Sequence, residues 1–135
     1  MLSQDTNLFM TKTSIKPAGA APAVGPYSHG VRVGDLLFCA GQIPVDPATG
    51  QVVAGDIRAQ TGRVLENVNI ILQDQGLTLA HVVKTTVFMT NLAEFADMNE
   101  VYAGHFRKDP PARSTVQVAA LPRGAKVEIE VIAHY

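Results

Sequence analysis

The sequence predicts an α+β domain in which a mixed β-sheet carries two helices on one face. Two segments show the apolar spacing of amphipathic helices, five others show the alternation or short apolar runs of strands, and they follow the order ββαβαββ. Two helices can cover only one face of such a sheet. Because the other face still carries apolar residues, we expect identical subunits to associate through it.

The strands are predicted from local composition and from the turns that bound them. Gly34 and Asp35 supply the turn of an opening hairpin. The third strand has two largely apolar faces, which is typical of a central strand. Its predicted faces are Val83, Val87 and Met89 on one side and Val82 and Phe88 on the other. The predicted strands are 28–33, 36–40, 81–90, 113–120 and 126–133, with a short additional strand near 14–16.

Two irregular segments flank the opening hairpin. The segment 17–27, PAGAAPAVGPY, contains three prolines and is expected to lie extended against the domain. The segment 41–51 is expected to be a loop that turns at Asp46 and Pro47 and closes near Gly50.

The two helices are delimited by capping signals. Asp56 is the predicted N-cap of the first helix, and Gly76 is placed to end it in a left-handed conformation. Asn91 and Glu94 have the spacing of a capping box at the start of the second helix. The predicted ranges are 57–75 and 92–106, with apolar stripes formed by Val64, Leu65, Val68, Ile71 and Leu72 and by Phe95, Met98, Tyr102 and Phe106.

Composition is that of a single globular domain. The 135 residues are 47% hydrophobic and 17% charged, and the net charge of −1 gives no electrostatic reason to expect nucleic acid. No apolar stretch reaches the roughly 18 residues of a membrane span. One cysteine cannot form an internal disulfide, and the N-terminus lacks the features of a signal peptide, so we expect a cytoplasmic protein. Residues 1–12 are expected to be a loose extension and residues 13–135 a single domain.

Most motifs of known chemistry are absent. The four histidines share no metal-ligand spacing, so no metal site is predicted. Cys39 lies inside an apolar strand and is predicted to be a buried, inert thiol. Ser28 and His29 are neighbours on a predicted strand and point to opposite faces, which excludes a direct nucleophile–base pair.

Three polar residues remain as candidates for chemistry. Arg113 begins a regular strand, where a guanidinium can bind a carboxylate in a bidentate manner. Glu128 lies on the polar face of the last strand and can position or activate a water. Tyr27 ends the proline-rich segment with its hydroxyl available. Each has a structural alternative, favoured by local pattern alone: the arginine stem covers apolar surface, the glutamate is an ordinary surface charge, and the tyrosine fills the core.

Five segments along the chain carry a family resemblance. They are GPYSHG (25–30), AGQIPVDPATG (40–50), VVKTTVFM (82–89), PARS (111–114) and LPRGAKVEIEVIA (121–133). Together they resemble the RidA/YjgF family of reactive-intermediate deaminases, from about Met10 onward. The resemblance implies a chorismate-mutase-like fold and a homotrimer around a central barrel, with ligand clefts between subunits. It further implies hydrolysis of 2-aminoacrylate-type enamines and their imines to 2-oxo acids and ammonia, with no metal or organic cofactor.

The same resemblance implies roles for individual residues. Arg113 in PARS would bind the substrate carboxylate, and Glu128 in KVEIE would hold the attacking water in the same cleft. Tyr27 would form the cleft wall, and Gly41 would offer its backbone to the ligand. Asn99 matches a frequently seen asparagine of the second helix.

Three positions depart from the family pattern and bear on substrate preference. Thr115 stands where many bacterial relatives carry cysteine, and we expect its backbone rather than its side chain to contact the ligand. Ala40 replaces a frequent serine, and Pro110 replaces an aromatic residue. The alternatives to a deaminase are a non-catalytic 2-oxo acid-binding module, a chaperone-like role, and a ribonuclease or translation inhibitor. The near-neutral charge and the absence of a basic, aromatic-lined strip argue against the last.

Overall fold

The computed structural model describes residues 11–135, and within them the elements follow the predicted order with one short strand added at the start. The predicted extension over 1–12 falls mainly on residues 1–10, which lie outside the described residues. The strands are β1 (Thr13–Ile15), β2 (Gly30–Val33), β3 (Leu36–Gln42), β4 (Val82–Met89), β5 (Ala112–Gln117) and β6 (Val127–His134), and the helices are α1 (Ile57–Asp74) and α2 (Phe95–His105).

All six strands belong to one mixed sheet, as predicted. Its order is β1-β2-β3-β6-β4-β5, in which only β4 and β5 pair in parallel. β6 and β4 occupy central positions, as predicted for β4, and β5 forms one edge. The predicted turn at Asp46 is also present, because the Gly50 amide donates to the Asp46 carbonyl at 2.8 Å.

Both helices pack on one face of the sheet and enclose the core. The side chains of the predicted α1 stripe are fully buried, and α1 contacts β3, β6 and α2. Burial of each such aliphatic side chain stabilises the fold by about 1.5–3 kcal/mol. Neither helix of the described chain combines the length and apolar character that a membrane span requires.

The ends of α1 confirm the predicted caps. Asp56 accepts a hydrogen bond from the Ala59 amide at 3.0 Å, which satisfies one of the free amides of the first turn. Gly76 has φ of 73°, and the amides of Gly76 and Leu77 close the two hydrogen bonds of a Schellman motif. A residue with a Cβ is disfavoured at this φ, so the glycine fixes where the helix ends.

The second helix begins later than predicted. Asn91 caps a single 3₁₀ turn over 92–94, accepting from the Ala93 amide at 3.0 Å, and the α-helix starts only at Phe95. The Asn91 side chain accepts from Ala93 and not from Glu94, and the Glu94 carboxylate lies 3.7 Å from Lys126 Nζ, so the predicted capping box is not formed. Phe95 is 37% exposed and does not belong to the core stripe.

A β-bulge at the start of β4 reverses the predicted sides of its first two residues, Val82 and Val83. The pairing with β6 skips Val83, which is left as an extra residue and is 48% exposed. Val82 takes its place under the helices with Val87 and Met89. The prediction assumed unbroken alternation, and a bulge shifts that alternation by one residue.

The second face of the sheet is open in the single chain. It presents partly exposed apolar side chains from three strands around a smaller polar group that includes Lys84 and Glu130. The most exposed apolar residues of this face are Val33, Leu36, Phe38 and Val116.

Candidate functional site

Arg113 lies on the edge strand β5 and points toward the helix-covered side of the sheet. Its Nη1 donates to Asn99 Oδ1 on α2 at 2.7 Å. The guanidinium carbon lies 4.7 Å from the ring centroid of Tyr102 and 5.4 Å from that of Phe95, within the range of cation–π attraction. The exposed position of Phe95 therefore has a local explanation, because its ring packs beside this cation.

The charge of Arg113 is not neutralised within the described chain. No carboxylate of residues 11–135 lies within 4.0 Å of it. The groove beside it has a volume of about 370 Å³ and is walled by Tyr102, Phe106 and the two prolines Pro110 and Pro111. A guanidinium has five N–H donors, so most of them are free to bind an anion in this groove.

Tyr102 forms the floor of the Arg113 groove. Its hydroxyl lies 2.7 Å from the hydroxyl of Thr85, which is fully buried on β4. Burial raises the pKa of the Tyr102 phenol, although the Thr85 hydrogen bond and the charge of Arg113 act in the opposite direction. The neutral phenol therefore presents an aromatic face to the guanidinium.

Glu128 lies on β6 and points to the open face, where it lines a groove of about 290 Å³ with Tyr27 and Gly41. The pairing of β3 with β6 shifts register between Cys39 and Gln42, next to this glycine. A Cβ on Gly41 would lie 2.9 Å from the Glu128 carboxyl carbon and would collide with its oxygen. A glycine is therefore required here for the carboxylate to occupy its position.

The environment of Glu128 disfavours its ionised form. Burial raises the pKa of the carboxyl above its ordinary value of 4.5, and the neighbouring charge of Glu130 adds to the effect. A carboxyl with a raised pKa is a stronger base when ionised, which suits the activation of a water. The interpretation of Glu128 as an ordinary surface charge does not fit this half-buried position.

Tyr27 stands at the wall of the Glu128 groove and is 45% exposed, so it does not fill the core. Its hydroxyl accepts a long hydrogen bond of 3.4 Å from the Val24 amide. The groove is completed by the loop around Ile43, which is anchored from α1 by Asn67. The Asn67 amide donates to the carbonyls of Ile43 at 3.2 Å and Val45 at 2.8 Å.

Asn67 was missed as a site-shaping residue. The sequence did contain a signal for it: Asn67 is an amide residue that lies on the buried face of α1, between the apolar residues Leu65 and Val68. Buried polar side chains are almost always hydrogen-bonded, so such a residue indicates a partner segment that passes over the helix.

Arg113 and Glu128 line separate grooves within one chain. Their side chains point to opposite faces of the sheet. Arg113 is two strands away from Val131 of β6, and Glu128 lies three residues from Val131 along that strand. This places the Cα atoms of Arg113 and Glu128 roughly 14 Å apart. Thr115 lies on the Arg113 side, with a buried hydroxyl that has no hydrogen-bond partner among residues 11–135. The predicted shared cleft can form only between two chains, and it stays a prediction.

The remaining candidates carry no comparable arrangement. Cys39 is buried as predicted, and burial raises the pKa of its thiol to about 12. Ser28 contacts the Ser14 hydroxyl at 2.5 Å, whereas the His29 ring contacts the Ala21 carbonyl, so the two side chains have separate partners. Within residues 11–135, no group of three His, Cys, Asp or Glu side chains could hold a metal ion.

The fold and the two grooves define a small α+β protein with one mixed sheet, which presents an arginine-lined groove on one face and a glutamate-lined groove on the other. Residues 18–135 match the family model described as Endoribonuclease L-PSP. The chain therefore belongs to the YjgF/RidA family.

Individual relatives are similar over almost their whole length. Protein DfrA of Myxococcus xanthus is 52% identical over 126 residues, which are 92% of this chain and 96% of DfrA. The 2-iminobutanoate/2-iminopropanoate deaminase of Salmonella typhimurium is 47% identical over 127 residues, covering 92% and 98% of the two chains. The crystal structure of YyfA, a conserved Rid-family protein of unknown function from Yersinia pestis, has a TM-score of 0.90 at 45% identity and covers 93% and 100%.

Proposed function

We propose that the protein is an imine deaminase, which hydrolyses 2-imino acids and their enamine tautomers to 2-oxo acids and ammonia. The observation that carries the proposal is Arg113, an oriented guanidinium whose donors are largely free and which has no carboxylate partner among residues 11–135. A small anionic substrate supplies that partner. The similarity to the Salmonella protein named as a 2-imino acid deaminase supports the same substrate class.

The active unit in this proposal is a homotrimer with composite sites. Association through the open sheet face buries the apolar side chains that the single chain leaves exposed. It also places the β5 edge of one subunit beside the Glu128 groove of the next. The support for this arrangement is the position of Arg113 and Glu128 on opposite faces of the sheet, where, among residues 11–135, they line two different grooves.

The proposed reaction needs orientation, one water and proton transfer through Glu128. Arg113 binds the substrate carboxylate and holds the adjacent C=N carbon over the Glu128 groove. Glu128 takes a proton from a water as the water oxygen bonds to the carbon of the N-protonated imine, which gives a neutral carbinolamine. Glu128 then returns that proton to the amino group, and the C–N bond breaks as the hydroxyl proton passes to the Glu128 carboxylate and the carbonyl forms, which releases ammonia. Thr115 and Gly41 contact the ligand through their backbones, and Tyr27 closes the wall.

The test is hydrolysis of an imine made in situ by an amino acid oxidase, with semicarbazide competing to trap it. Wild type is expected to suppress trapping, and Arg113→Ala is expected to lower kcat/KM by about 10- to 100-fold, the loss of one hydrogen-bonded ion pair. Arg113→Lys is expected to recover only part of this loss, because a lysine cannot bind a carboxylate in a bidentate manner.

Arg107→Ala is the matched control, because this exposed arginine follows α2 and donates only to the Gly104 carbonyl, at 3.1 Å. Full activity of Arg113→Ala would contradict the assignment of the carboxylate site. Binding of 2-oxo acids without any imine hydrolysis would favour the non-catalytic binding module instead.

A further inference from the structure

A smaller pocket opens beside the Glu128 groove, beneath the proline-rich segment 17–27. Its volume is about 50 Å³, which leaves room for roughly three to five non-hydrogen atoms if one water needs about 10–15 Å³. Tyr27 and Gly41 line both the pocket and the groove, so the two spaces adjoin. Most of the remaining wall is apolar, formed by Ala21, Pro22, Val24, Ile43 and Val45.

Two buried polar side chains, His29 and Gln42, line this pocket, and the Gln42 amide donates to the Ala40 carbonyl at 3.3 Å. His29 is 7% exposed, and its Nε2 lies 2.6 Å from the Ala21 carbonyl oxygen. Because a carbonyl only accepts, Nε2 carries a hydrogen, and in the Nε2–H tautomer of imidazole Nδ1 is the acceptor. Among residues 11–135, this Nδ1 has no hydrogen-bond partner.

The hydrolytic step assigned to Arg113 and Glu128 makes no use of His29. A buried acceptor without a partner is unfavourable, and it is satisfied by any donor that enters the pocket. The only cation in the lining is Arg123, which is exposed and already donates to the Gly50 carbonyl at 2.9 Å. The pocket is therefore suited to a short, uncharged group that ends in a hydrogen-bond donor.

We propose that this pocket is the side-chain subsite of the deaminase and that His29 selects short substrate side chains ending in a hydroxyl. The inference rests on the proposed function, because it requires the reacting carbon to lie in the adjoining Glu128 groove. The side chain passes between Tyr27 and Gly41, and its hydroxyl donates to His29 Nδ1.

The test uses two imines of equal length that differ only at the last atom. Oxidation of homoserine gives a side chain ending in hydroxyl, and oxidation of norvaline gives one ending in methyl. Wild type is expected to show a kcat/KM about three- to tenfold higher for the homoserine-derived imine, the effect of one neutral hydrogen bond.

Two substitutions separate the roles of the ring nitrogens. In His29→Gln the amide nitrogen is as many bonds from Cα as Nε2, so the contact with Ala21 is kept and the Nδ1 acceptor is lost. In His29→Asn the amide oxygen replaces Nδ1, and the contact with Ala21 is lost. The preference for the hydroxyl is expected to disappear in His29→Gln and to persist in His29→Asn.

Equal kcat/KM values for the two imines with wild type would overturn the subsite while leaving the deaminase function intact. A preference that persists in a folded His29→Gln variant would also overturn it. Hydrolysis of neither imine by wild type would overturn the proposed function itself and the subsite with it. The wild-type substrate comparison decides the matter even where a variant fails to fold.

Discussion

The two faces of the sheet present two grooves, and the charged residue of each groove is positioned in a different way. On the helix-covered side, Arg113 is held by direct contacts, with Asn99 at one nitrogen and the rings of Tyr102 and Phe95 beside it. On the open side, Glu128 is defined by the space around it, because Gly41 leaves room for the carboxylate and burial raises its pKa. The guanidinium is therefore positioned by its contacts, and the carboxylate is positioned by the space that Gly41 leaves for it.

This difference indicates which substitutions the Arg113 groove and the Glu128 groove each tolerate. Removing one of several contacts leaves an arginine approximately in place. Adding one atom against a confined carboxylate displaces it, and a displacement of about 1 Å can cost 10²-fold in rate. We therefore expect the Glu128 side to be the more sensitive of the two.

The largest effect is expected from Glu128→Gln, which removes the proposed base. Activity should fall by about 10²- to 10⁴-fold, the range of general base catalysis.

In wild type, activity should decline toward acid pH with a midpoint above 4.5, because the pKa of Glu128 is raised and its ionised form is required. Glu130→Gln should keep activity and move that midpoint to lower pH, because the charge of Glu130 is the second cause of the raised pKa. The pH dependence of kcat/KM for the three proteins checks this.

The same substitution should raise stability at neutral pH. A raised pKa means that the folded chain holds the proton more tightly than the unfolded chain, so stability falls as pH rises from 4.5 through the raised value. Glu128→Gln removes this loss. Its thermal midpoint should exceed that of wild type at pH 7, and the difference should vanish below pH 4.5. A lower midpoint at pH 7 would show that the carboxylate stabilises the fold.

The second-largest loss of activity is expected from Gly41→Ala. Its kcat/KM should fall by about 10²-fold, because the new methyl group collides with the Glu128 carboxyl. The matched control is Gly62→Ala within α1, where a Cβ meets nothing within 4 Å. The control should keep full activity and gain about 0.5–1 kcal/mol in unfolding free energy from helix propensity. Unchanged activity in Gly41→Ala would contradict a confined carboxylate.

Phe38→Asp tests the open face. This side chain is 43% exposed in the single chain, so burying the rest of it between subunits is worth about 0.6–1.3 kcal/mol, or roughly three- to ninefold in subunit affinity, and an unpaired carboxylate in the interface adds to the loss. Light scattering should show trimers dissociating into folded monomers that retain the wild-type helical signal. Leu92→Asp is the control, since this residue is 41% exposed on the 3₁₀ turn before α2. Trimers of Phe38→Asp that are as stable as wild type would place the interface elsewhere.

The smallest effect is expected from Asn99→Ala, which removes one of the contacts of Arg113 and leaves both aromatic rings in place. The expected loss in kcat/KM is about three- to tenfold, as for a single hydrogen bond. It should appear mainly in KM, because the assigned role of Arg113 is to bind the carboxylate. A loss confined to kcat would assign Asn99 to the chemistry instead.

Features set by neighbouring residues could be predicted from the sequence, and features set by strand pairing could not. Asp56 and Gly76 delimit α1 through contacts within one turn of the helix, and both predictions are confirmed. The bulge at Val83 depends on how β6 pairs with β4, which local alternation does not encode. For the same reason, the faces of Arg113 and Glu128 relative to each other follow from the strand order and not from either segment.

His29 shows the same limit within the site. From the sequence around Ser28, His29 could be predicted only to lie on a strand. Its burial could not be predicted, because it depends on the proline-rich segment 17–27 that passes over it. The resemblance to the family is the source of both members of the proposed arginine–glutamate pair. The structure adds that one chain keeps them apart, so the claim that two subunits share each site is the central one.

That claim is tested most directly by mixing two inactive variants. Arg113→Ala and Glu128→Gln subunits are denatured together in equal amounts, refolded, and assayed for imine hydrolysis. If each site takes its arginine from one subunit and its glutamate from the next, random assortment leaves about a quarter of the sites intact, and about a quarter of wild-type activity should return. Activity no higher than the average of the two variants would show that both residues act within one chain, and would contradict the composite site.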